Sequence, residues 1–277
     1  MIRPISAFYV LLSLSFGIYG CASESSVELI TAMDMGPPIM DALPDAPPAM
    51  DMAPSIPDVG PPPSLEGAAR FAPEGLPSTS IQPSLALDDA GQLALAGCGG
   101  DGDDLGIWFA LFDVEGTPIQ APYTLDTTTM GVQNEPSVCP LAEGGYVVVW
   151  SMDAQEVNAD GQNLYIRARR VAADGTPADE TDVEIHSGSP GNHWLAEVAC
   201  DPRGGYLVVG ARSEENSTFG VFAQRFHADG RAVGEAITLN SDPMGTQAFP
   251  SAAFAANGDA VLVWEDSPFD GQPDAVT

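Results

Sequence analysis

The segment of this sequence with the clearest potential for chemistry is a run of glycines and aspartates at residues 99–104, GGDGDD. Its carboxylates, Asp101, Asp103 and Asp104, are hard oxygen ligands of the kind that Ca²⁺ prefers. The run lacks the complete D-x-D-x-D-G spacing and the distal Glu of a calcium-binding loop. We therefore predict either a calcium site formed by these three aspartates or a solvated loop without a ligand, and we predict no other cofactor.

Other catalytic signatures are missing from the sequence. His186 and His193 flank a short loop, where they either converge on a metal or lie at the surface, and His227 is expected to be exposed. No GxSxG, HExxH or P-loop motif occurs, and neither does a GxGxxG after a strand or the S-x-D-x-G-x-T-W box of sialidases. The acidic residues are numerous enough to supply a glycosidase-type carboxylate pair, but no two of them stand out.

The charge of the chain excludes one class of partner. Asp and Glu together number 39, against nine Arg and no Lys, for a formal net charge of −30. Such a surface repels phosphate backbones, so we predict no nucleic-acid partner. It also repels anionic lipid headgroups, so any attachment to a membrane must be covalent or hydrophobic.

The cysteines are Cys21, Cys98, Cys139 and Cys200. Cys21 falls in a processing segment, which leaves three in the rest of the chain. These form either one disulfide and one free thiol, in an oxidising compartment, or three unpaired buried thiols. Their spacing does not suggest a zinc site.

The N-terminus has the features of an export signal. In residues 1–20, Arg3 precedes a short apolar stretch that suits a signal peptide better than a spanning helix. The sequence Ile18-Tyr19-Gly20-Cys21 resembles a bacterial lipobox, which implies cleavage before Cys21, a diacylglyceryl thioether on its sulfur and a further acyl chain, such as palmitate, on its amine. Ala22 stands where an Asp often marks retention at the inner membrane. The resemblance therefore implies a lipid anchor in the outer membrane, with the protein on the cell surface or the periplasmic face.

Residues 21–66 form a predicted disordered tether. From Asp34 to Pro63 the chain consists mostly of Pro, Met, Asp and Ala. Proline fixes φ and removes donors, so helices and sheet interiors are excluded. The aspartates repel one another, so this stretch is expected to form an extended polyproline-II-like spacer between the membrane and the folded part.

The remaining residues, 67–277, contain an internal repeat. Four segments align: IQPSLALDDAGQLALAG from Ile81, NEPSVCPLAEGGYVVVW from Asn134, WLAEVACDPRGGYLVVG from Trp194 and AFPSAAFAANGDAVLVW from Ala248. The repeat length is about 50–60 residues, which is typical of propellers and other repeat architectures. Each segment predicts a strand A, a tight Gly turn and an apolar strand B, and further strands C and D follow it, joined in the first three units by an Asp-Gly or Glu-Gly turn.

Strand B decides the predicted architecture. Runs such as Tyr146–Trp150 are continuously apolar, which indicates burial on both faces. Equivalent four-stranded sheets packed face to face form a β-propeller-like array, whereas a β-sandwich explains the repeat length less well. We predict an all-β fold with blades at about 79–126, 134–186 and 194–240 and an incomplete blade at 248–277. Either the protein has further blades, or an N-terminal strand completes a four-blade ring.

The repeats also resemble a known group. Pro136 to Trp150 and Val221 to Gly230 are similar to tandem repeats of bacterial surface and secreted proteins, which combine a PSVA…ADGGFVVVW hairpin with a YAQRFDADG strand. This resemblance covers roughly residues 69–277. It implies a propeller-like structure and no particular activity.

Anchor, spacer and repeats together predict a function. They favour a membrane-anchored, surface-displayed binding or adhesion scaffold for an extracellular protein or glycan, and the missing catalytic motifs favour a role without catalysis. An alternative is an extracellular polysaccharide hydrolase or lyase with its site at the mouth of the propeller channel. A third hypothesis is a periplasmic assembly factor that binds strands of its partners.

Overall fold

The computed structural model describes residues 26–33, 76–77, 80–102, 104–156, 162–185, 191–213, 219–241 and 245–267. All the regular elements among these residues are β-strands, and none of the described residues belongs to a helix that could span a membrane. The strands are β1 (Ser26–Met33), β2 (Ile81–Leu87), β3 (Leu93–Gly100), β4 (Leu105–Phe112), β5 (Pro118–Thr124), β6 (Val132–Pro140), β7 (Tyr146–Asp153), β8 (Leu164–Val171), β9 (Val183–Ile185), β10 (His193–Cys200), β11 (Tyr206–Ser213), β12 (Phe219–Phe226), β13 (Ala232–Thr238), β14 (Thr246–Phe254) and β15 (Ala260–Ser267).

The strands are arranged as consecutive antiparallel blades. Strands β2 to β5 form blade one, and β6 to β9 form blade two, each as a separate four-stranded sheet in sequence order. Strands β10 to β13 form blade three, and β14 and β15 begin blade four; a single parallel bridge between Phe219 and Thr246 joins these two blades. The predicted all-β, propeller-like array is confirmed.

The blades pack face to face through their apolar strands. On β7, Val148 and Trp150 lie in a core with residues of blade one, whereas Val147 and Val149 lie in a core with residues of blade three. All four side chains are fully buried. Alternate side chains of one strand thus enter two different cores, which is why the sequence of strand B is apolar at every position.

Each blade has an inner and an outer edge. The A strands β2, β6, β10 and β14 contact one another in succession along the array. Strands β5 and β13, the D strands of blades one and three, are largely exposed. The A strands therefore line the inside of the array.

Polar contacts connect the inner strands at equivalent positions of the repeat. Ser84 Oγ accepts a hydrogen bond from the backbone N–H of Val138 at 3.1 Å, and Ser137 Oγ accepts one from Val198 at 3.2 Å. The Pro-Ser pair of the sequence repeat is thus an inter-blade contact. In blade three the longer Glu197 replaces this serine and accepts hydrogen bonds from blade four.

Strand β1 differs from the sequence prediction. Ser26–Met33 pairs antiparallel with β15, at the position of a third strand in blade four, although these residues fall in the predicted tether. The sequence SVELITAM precedes the proline-rich run, contains no proline and includes three β-branched residues, so it is suited to a strand. The spacer prediction for residues 34–63 concerns residues outside the described ranges.

A disulfide joins Cys139 of blade two to Cys200 of blade three, and Cys98 is a buried free thiol. Of the two alternatives that the sequence left open, the structure has the one disulfide. Both cysteines lie at the ends of A strands, so the bond ties two neighbouring inner strands.

The double variant Cys139→Ser/Cys200→Ser should unfold more easily, because the cross-link restricts the unfolded chain. We expect its free energy of unfolding to fall by roughly 2–4 kcal/mol, measured by urea denaturation. A reductant should lower the denaturation midpoint of the wild type and leave that of the double variant unchanged. A wild-type midpoint that does not respond to reductant would contradict the proposed contribution of this bond.

Candidate functional site

The two ends of the array carry different connections. The A–B and C–D connections are short turns at one end, such as Leu141–Gly145 and Ala172–Thr176. The B–C and D–A connections lie at the other end, and they range from four to ten residues and vary in sequence. We name this second end the loop end. Because binding residues concentrate on loops supported by a rigid scaffold, we expect a ligand-binding site at the loop end.

Strained backbone marks the same point in every inner strand. Gln82, Glu135, Leu195 and Phe249 have φ of 49°, 53°, 55° and 50°. Each lies in a β-bulge near the loop end, where two residues of the A strand oppose one residue of the B strand. Non-glycine residues in this region cost about 1–3 kcal/mol, and the strain persists only where the surrounding structure enforces it. We name these four residues the bulge ring.

Hydrogen bonds connect the bulge ring across three blades. Gln82 Oε1 accepts from the backbone N–H of Glu135 at 3.1 Å. Glu135 Oε2 accepts from Ser151 Oγ at 3.2 Å, and Ser151 Oγ accepts from the N–H of Leu195 at 2.9 Å. The polar side chains at this end are therefore held in fixed positions.

Burial shifts the acid–base properties of this region. It raises the pKa of Glu135, an effect that the hydrogen bond from Ser151 only partly offsets. Burial also raises the pKa of the Cys98 thiol to about 11, and its Sγ donates to Gln82 Oε1 at 3.1 Å. Cys98 is thus a neutral thiol rather than a nucleophile, and Glu135 is the group at this site that can hold a proton.

Aromatic side chains occupy the loop end of blades three and four. Phe249 of the bulge ring is 63% exposed. Trp194 and Phe219 are half-buried and pack edge to face with ring centroids 4.5 Å apart. The loop end therefore combines amide and carboxyl groups on blades one and two with aromatic rings on blades three and four. This combination suits ligands that have both apolar faces and hydroxyl groups.

A second group of carboxylates is buried near this end. Burial, together with the charges of Asp101 and Asp182, raises the pKa of Asp126 to about 6. Burial acts in the same direction on Asp182, but hydrogen bonds from Thr127 and the charge of Arg167 outweigh it and lower its pKa. Opposed shifts of this kind mark acid–base pairs in enzymes. Here Asp126 and Asp182 are only 4% and 6% exposed, so a dissolved substrate cannot reach either carboxyl group.

The predicted calcium residues take part in loop hydrogen bonds. Asp101 Oδ1 accepts from the N–H of Asp104 at 3.1 Å, and Asp104 Oδ2 accepts from Gln155 Nε2 at 2.9 Å. Asp103 lies outside the described residues, as does Cys21, the predicted lipidation site. Within the described ranges, no three His, Cys, Asp or Glu side chains are grouped to hold a metal ion. The calcium loop stays a prediction.

The histidines differ in their surroundings. His227 is exposed at a turn, as predicted, and His186 lies outside the described residues. His193 is buried against the edge of Phe222, with ring centroids 5.7 Å apart, so the expectation of a surface residue is wrong for it. It is the first residue of the A strand β10.

A cleft of about 270 Å³ lies at the opposite end, between blades two and three. Its charged groups already have partners. Arg170 forms an ion pair with Asp179 at 2.5 Å and donates to the carbonyl of Ala228 at 3.0 Å, while Arg169 donates to backbone carbonyls. We interpret this cleft as part of the blade packing rather than as a ligand site.

Comparisons with known proteins give only distant similarities. No protein-family model and no curated protein matches the sequence. Among solved structures, a protein of unknown function from Dyadobacter fermentans is 16% identical with a TM-score of 0.45, over 66% of this chain and 52% of its own. The endo-arabinase from Bacteroides thetaiotaomicron is 14% identical with a TM-score of 0.41, over 69% and 76%. The α-L-arabinanase from Penicillium chrysogenum is 17% identical with a TM-score of 0.43, over 65% and 57%.

These similarities do not decide the fold or the activity, because the TM-scores are below 0.5. The chain also spans only about half the length of the Dyadobacter protein. The fold is established by the strand pairing itself, and the candidate site by the bulge ring.

The bulge ring was not singled out from the sequence. Its signal is present, since Gln82, Glu135 and Phe249 each stand directly before the repeated Pro-Ser pair. A residue before proline is expected to be extended, so the positive φ could not be predicted from the sequence.

Substitutions at Phe249 test the strain in the bulge ring. Phe249→Gly should leave the free energy of unfolding within about 0.5 kcal/mol of the wild type, because glycine adopts this φ at little cost and the phenyl side chain is mostly exposed. Phe249→Val should lower it by about 1–2 kcal/mol, because a β-branched residue is strained there. Equal effects of the two changes in chemical denaturation would show that the bulge is not strained.

Proposed function

We propose that this protein is an extracytoplasmic binding scaffold that recognises a neutral glycan at its loop end. The observation that supports this proposal is the bulge ring, which presents an amide, a carboxyl group and an exposed aromatic ring from equivalent positions of successive inner strands. Aromatic rings stack on the apolar faces of sugars, and amide and carboxyl groups bind their hydroxyls.

The charge of the protein narrows the ligand class. With a net charge of −30 it repels polyanions, so uronic-acid polymers, sulfated glycans and nucleic acids are disfavoured. Neutral glycans have no such penalty. The aromatic part of the site, Trp194, Phe219 and Phe249, adds apolar contact area without adding charge.

The N-terminus and the disulfide support an extracytoplasmic location. A disulfide between Cys139 and Cys200 fits an oxidising compartment. Cleavage before Cys21 and acylation of that residue would anchor the chain in the outer membrane, and several acyl chains suffice for stable attachment.

A second candidate function is hydrolysis of the bound polysaccharide. Glu135 favours it, because this half-buried carboxyl group at the loop end has a raised pKa and could donate a proton to a leaving group. Its hydrogen bond from Ser151 fixes the orientation of the carboxyl group.

Binding is tested with the mature protein and neutral oligosaccharides of arabinose, glucose and mannose in isothermal titration calorimetry. Phe249→Gly should weaken binding roughly tenfold, because it removes the exposed phenyl side chain while keeping the backbone conformation. Val114→Ala is the matched control, since Val114 is an exposed apolar residue on a turn at the other end. Unchanged affinity in Phe249→Gly would exclude the loop end as the binding site.

Catalysis is tested by the release of reducing sugar from the same ligands. A polysaccharide hydrolase should lose this activity in Glu135→Gln but keep its affinity, whereas a scaffold should release no sugar in either form. Binding without release therefore supports the scaffold, and release that depends on Glu135 supports the second candidate.

The anchor is tested in a Gram-negative host with the full chain. Cys21→Ser should move the protein from the membrane fraction to the soluble fraction, because the acceptor sulfur is lost. Ala22→Asp, the control, should stay membrane-bound but shift towards the inner membrane. Protease treatment of intact cells then separates cell-surface from periplasmic display. A Cys21→Ser protein that still sediments with membranes would overturn the lipid anchor.

A further inference from the structure

A nine-residue motif follows the D strands of blades one and three. Its two copies are LDTTTMGVQ at Leu125–Gln133 and LNSDPMGTQ at Leu239–Gln247. In each copy the leucine N–H donates to a carbonyl of strand C: Leu125 to Ile107 at 2.6 Å, and Leu239 to Val221 at 2.9 Å. The glycine of each copy has positive φ, 85° and 89°. The described residues of the two copies are thus equivalent at these positions.

The second residue of the motif makes one hydrogen bond in the same way in both copies. Asp126 Oδ1 accepts from the N–H of Ile107 at 2.6 Å, and Asn240 Oδ1 accepts from the N–H of Val221 at 3.0 Å. The remaining carboxyl oxygen of Asp126 therefore corresponds, by the shared hydrogen bond, to the amide nitrogen of Asn240.

The copies differ in whether the second polar atom of this side chain, the nitrogen of Asn240 or the Oδ2 of Asp126, can donate a hydrogen bond. Asn240 Nδ2 donates to Gln247 Oε1 at 3.1 Å, which connects the end of blade three to the start of the inner strand of blade four. Blade one has Asp126 instead of the asparagine, and Gln133 occupies the position of Gln247. Asp126 Oδ2 and Gln133 Oε1 are both buried and have no hydrogen-bond partner.

The orientation of Gln133 is determined by its amide nitrogen. Gln133 Nε2 donates to the carbonyls of Thr128 at 2.9 Å and Met130 at 3.0 Å, so an exchange of its oxygen and nitrogen would place an acceptor against two acceptors. Gln133 Oε1 is therefore an acceptor that needs a donor. An ionised Asp126 offers only acceptors, and a buried unsatisfied acceptor is costly.

We propose that Asp126 is protonated and donates a hydrogen bond from Oδ2 to Gln133 Oε1, equivalent to the bond from Asn240 Nδ2 to Gln247 Oε1. This hydrogen bond at the junction between blades one and two therefore forms at acidic pH and is lost when Asp126 ionises. When Asp126 loses the proton, two buried acceptors face each other. The segment Thr127–Gly131 between them then loosens, which changes a D–A connection at the loop end.

The charged groups around Asp126 support this assignment. Asp101 approaches from the B–C loop of blade one, and a Cβ built on Gly106 would lie 3.0 Å from Asp101 Oδ2 and 2.9 Å from Asp126 Oδ1. From blade two, Asp182 accepts from the N–H of Thr127 at 3.1 Å. Both neighbouring carboxylates oppose ionisation of Asp126.

The cations in this region are engaged elsewhere. Arg167 pairs with Asp182 at 2.9 Å, and Arg169 donates to the carbonyl of Leu125 and to carbonyls of the segment before β9. Burial is the main cause that raises the pKa of Asp126 to about 6. Because this folded-state pKa is above the ordinary value, the stabilisation by the proton is complete at low pH and is lost as the pH rises through about 6.

Exchanging the Asx residues between the copies tests the proposal on the full mature chain. Asp126→Asn should match the wild type at pH 4.5 and be more stable at pH 8, with a folding constant roughly 30-fold larger, because most of the loss that two pKa units represent falls between these two pH values and the variant cannot ionise. The matched change Asn240→Asp should add a second loss of stability between pH 4.5 and 8. Both are measured by urea denaturation as a function of pH.

Two further measurements decide the outcome. The ¹³C chemical shift of the Asp126 carboxyl group, followed by pH titration of the wild type, should give a pKa near 6, and a value below 4.5 would overturn the proposal even if Asp126→Asn failed to fold. Parallel stability profiles of wild type and Asp126→Asn would overturn it as well. So would stabilisation of the wild type, but not of Asp126→Asn, by Ca²⁺ at pH 8, because a cation would then be the partner of the two oxygens.

Discussion

Burial of the B strands on both faces is the interaction on which this structure depends. Val147 and Val149 enter one core and Val148 and Trp150 another, so no blade is complete without its neighbours. The hydrophobic effect acts between sheets rather than within them. The blades therefore stack in sequence order, and the chain direction of each strand fixes which connections meet at the loop end.

Apolar stacking alone does not determine how neighbouring blades are aligned along their strands. Polar contacts between the inner strands determine this alignment. Ser84 and Ser137 each accept a backbone N–H from the next blade, and the Cys139–Cys200 disulfide adds a covalent tie. The bulges beside these contacts hold residues such as Glu135 at positive φ. The candidate site is thus built from the same features that align the blades, which explains why it is rigid.

In the D–A connections, the repeat position occupied by Asp126 in one copy and Asn240 in the other carries side chains with different hydrogen-bonding properties. Asn240 donates a hydrogen bond to Gln247 from an amide that is a donor at every pH. Asp126 can donate the equivalent bond to Gln133 only when it is protonated, as we propose. A single oxygen in place of nitrogen therefore makes one junction dependent on pH. Burial, with the charges of Asp101 and Asp182 added, raises the pKa of Asp126 and so shifts that dependence towards neutral pH.

The sequence by itself determined the repeat, the all-β class and the four-strand composition of the units, because periodic burial and turn residues are local patterns. It could not show that Ser26–Met33 pairs with β15, that Cys139 bonds Cys200 or that His193 is buried, since these depend on which blades become neighbours. Positive φ at Glu135 and Phe249 contradicts the local preference of a residue before proline, and it occurs at the β-bulges between the paired A and B strands. The raised pKa of Asp126 likewise arises from burial and, to a smaller extent, from the charges of Asp101 and Asp182, which come close to Asp126 only in the folded chain.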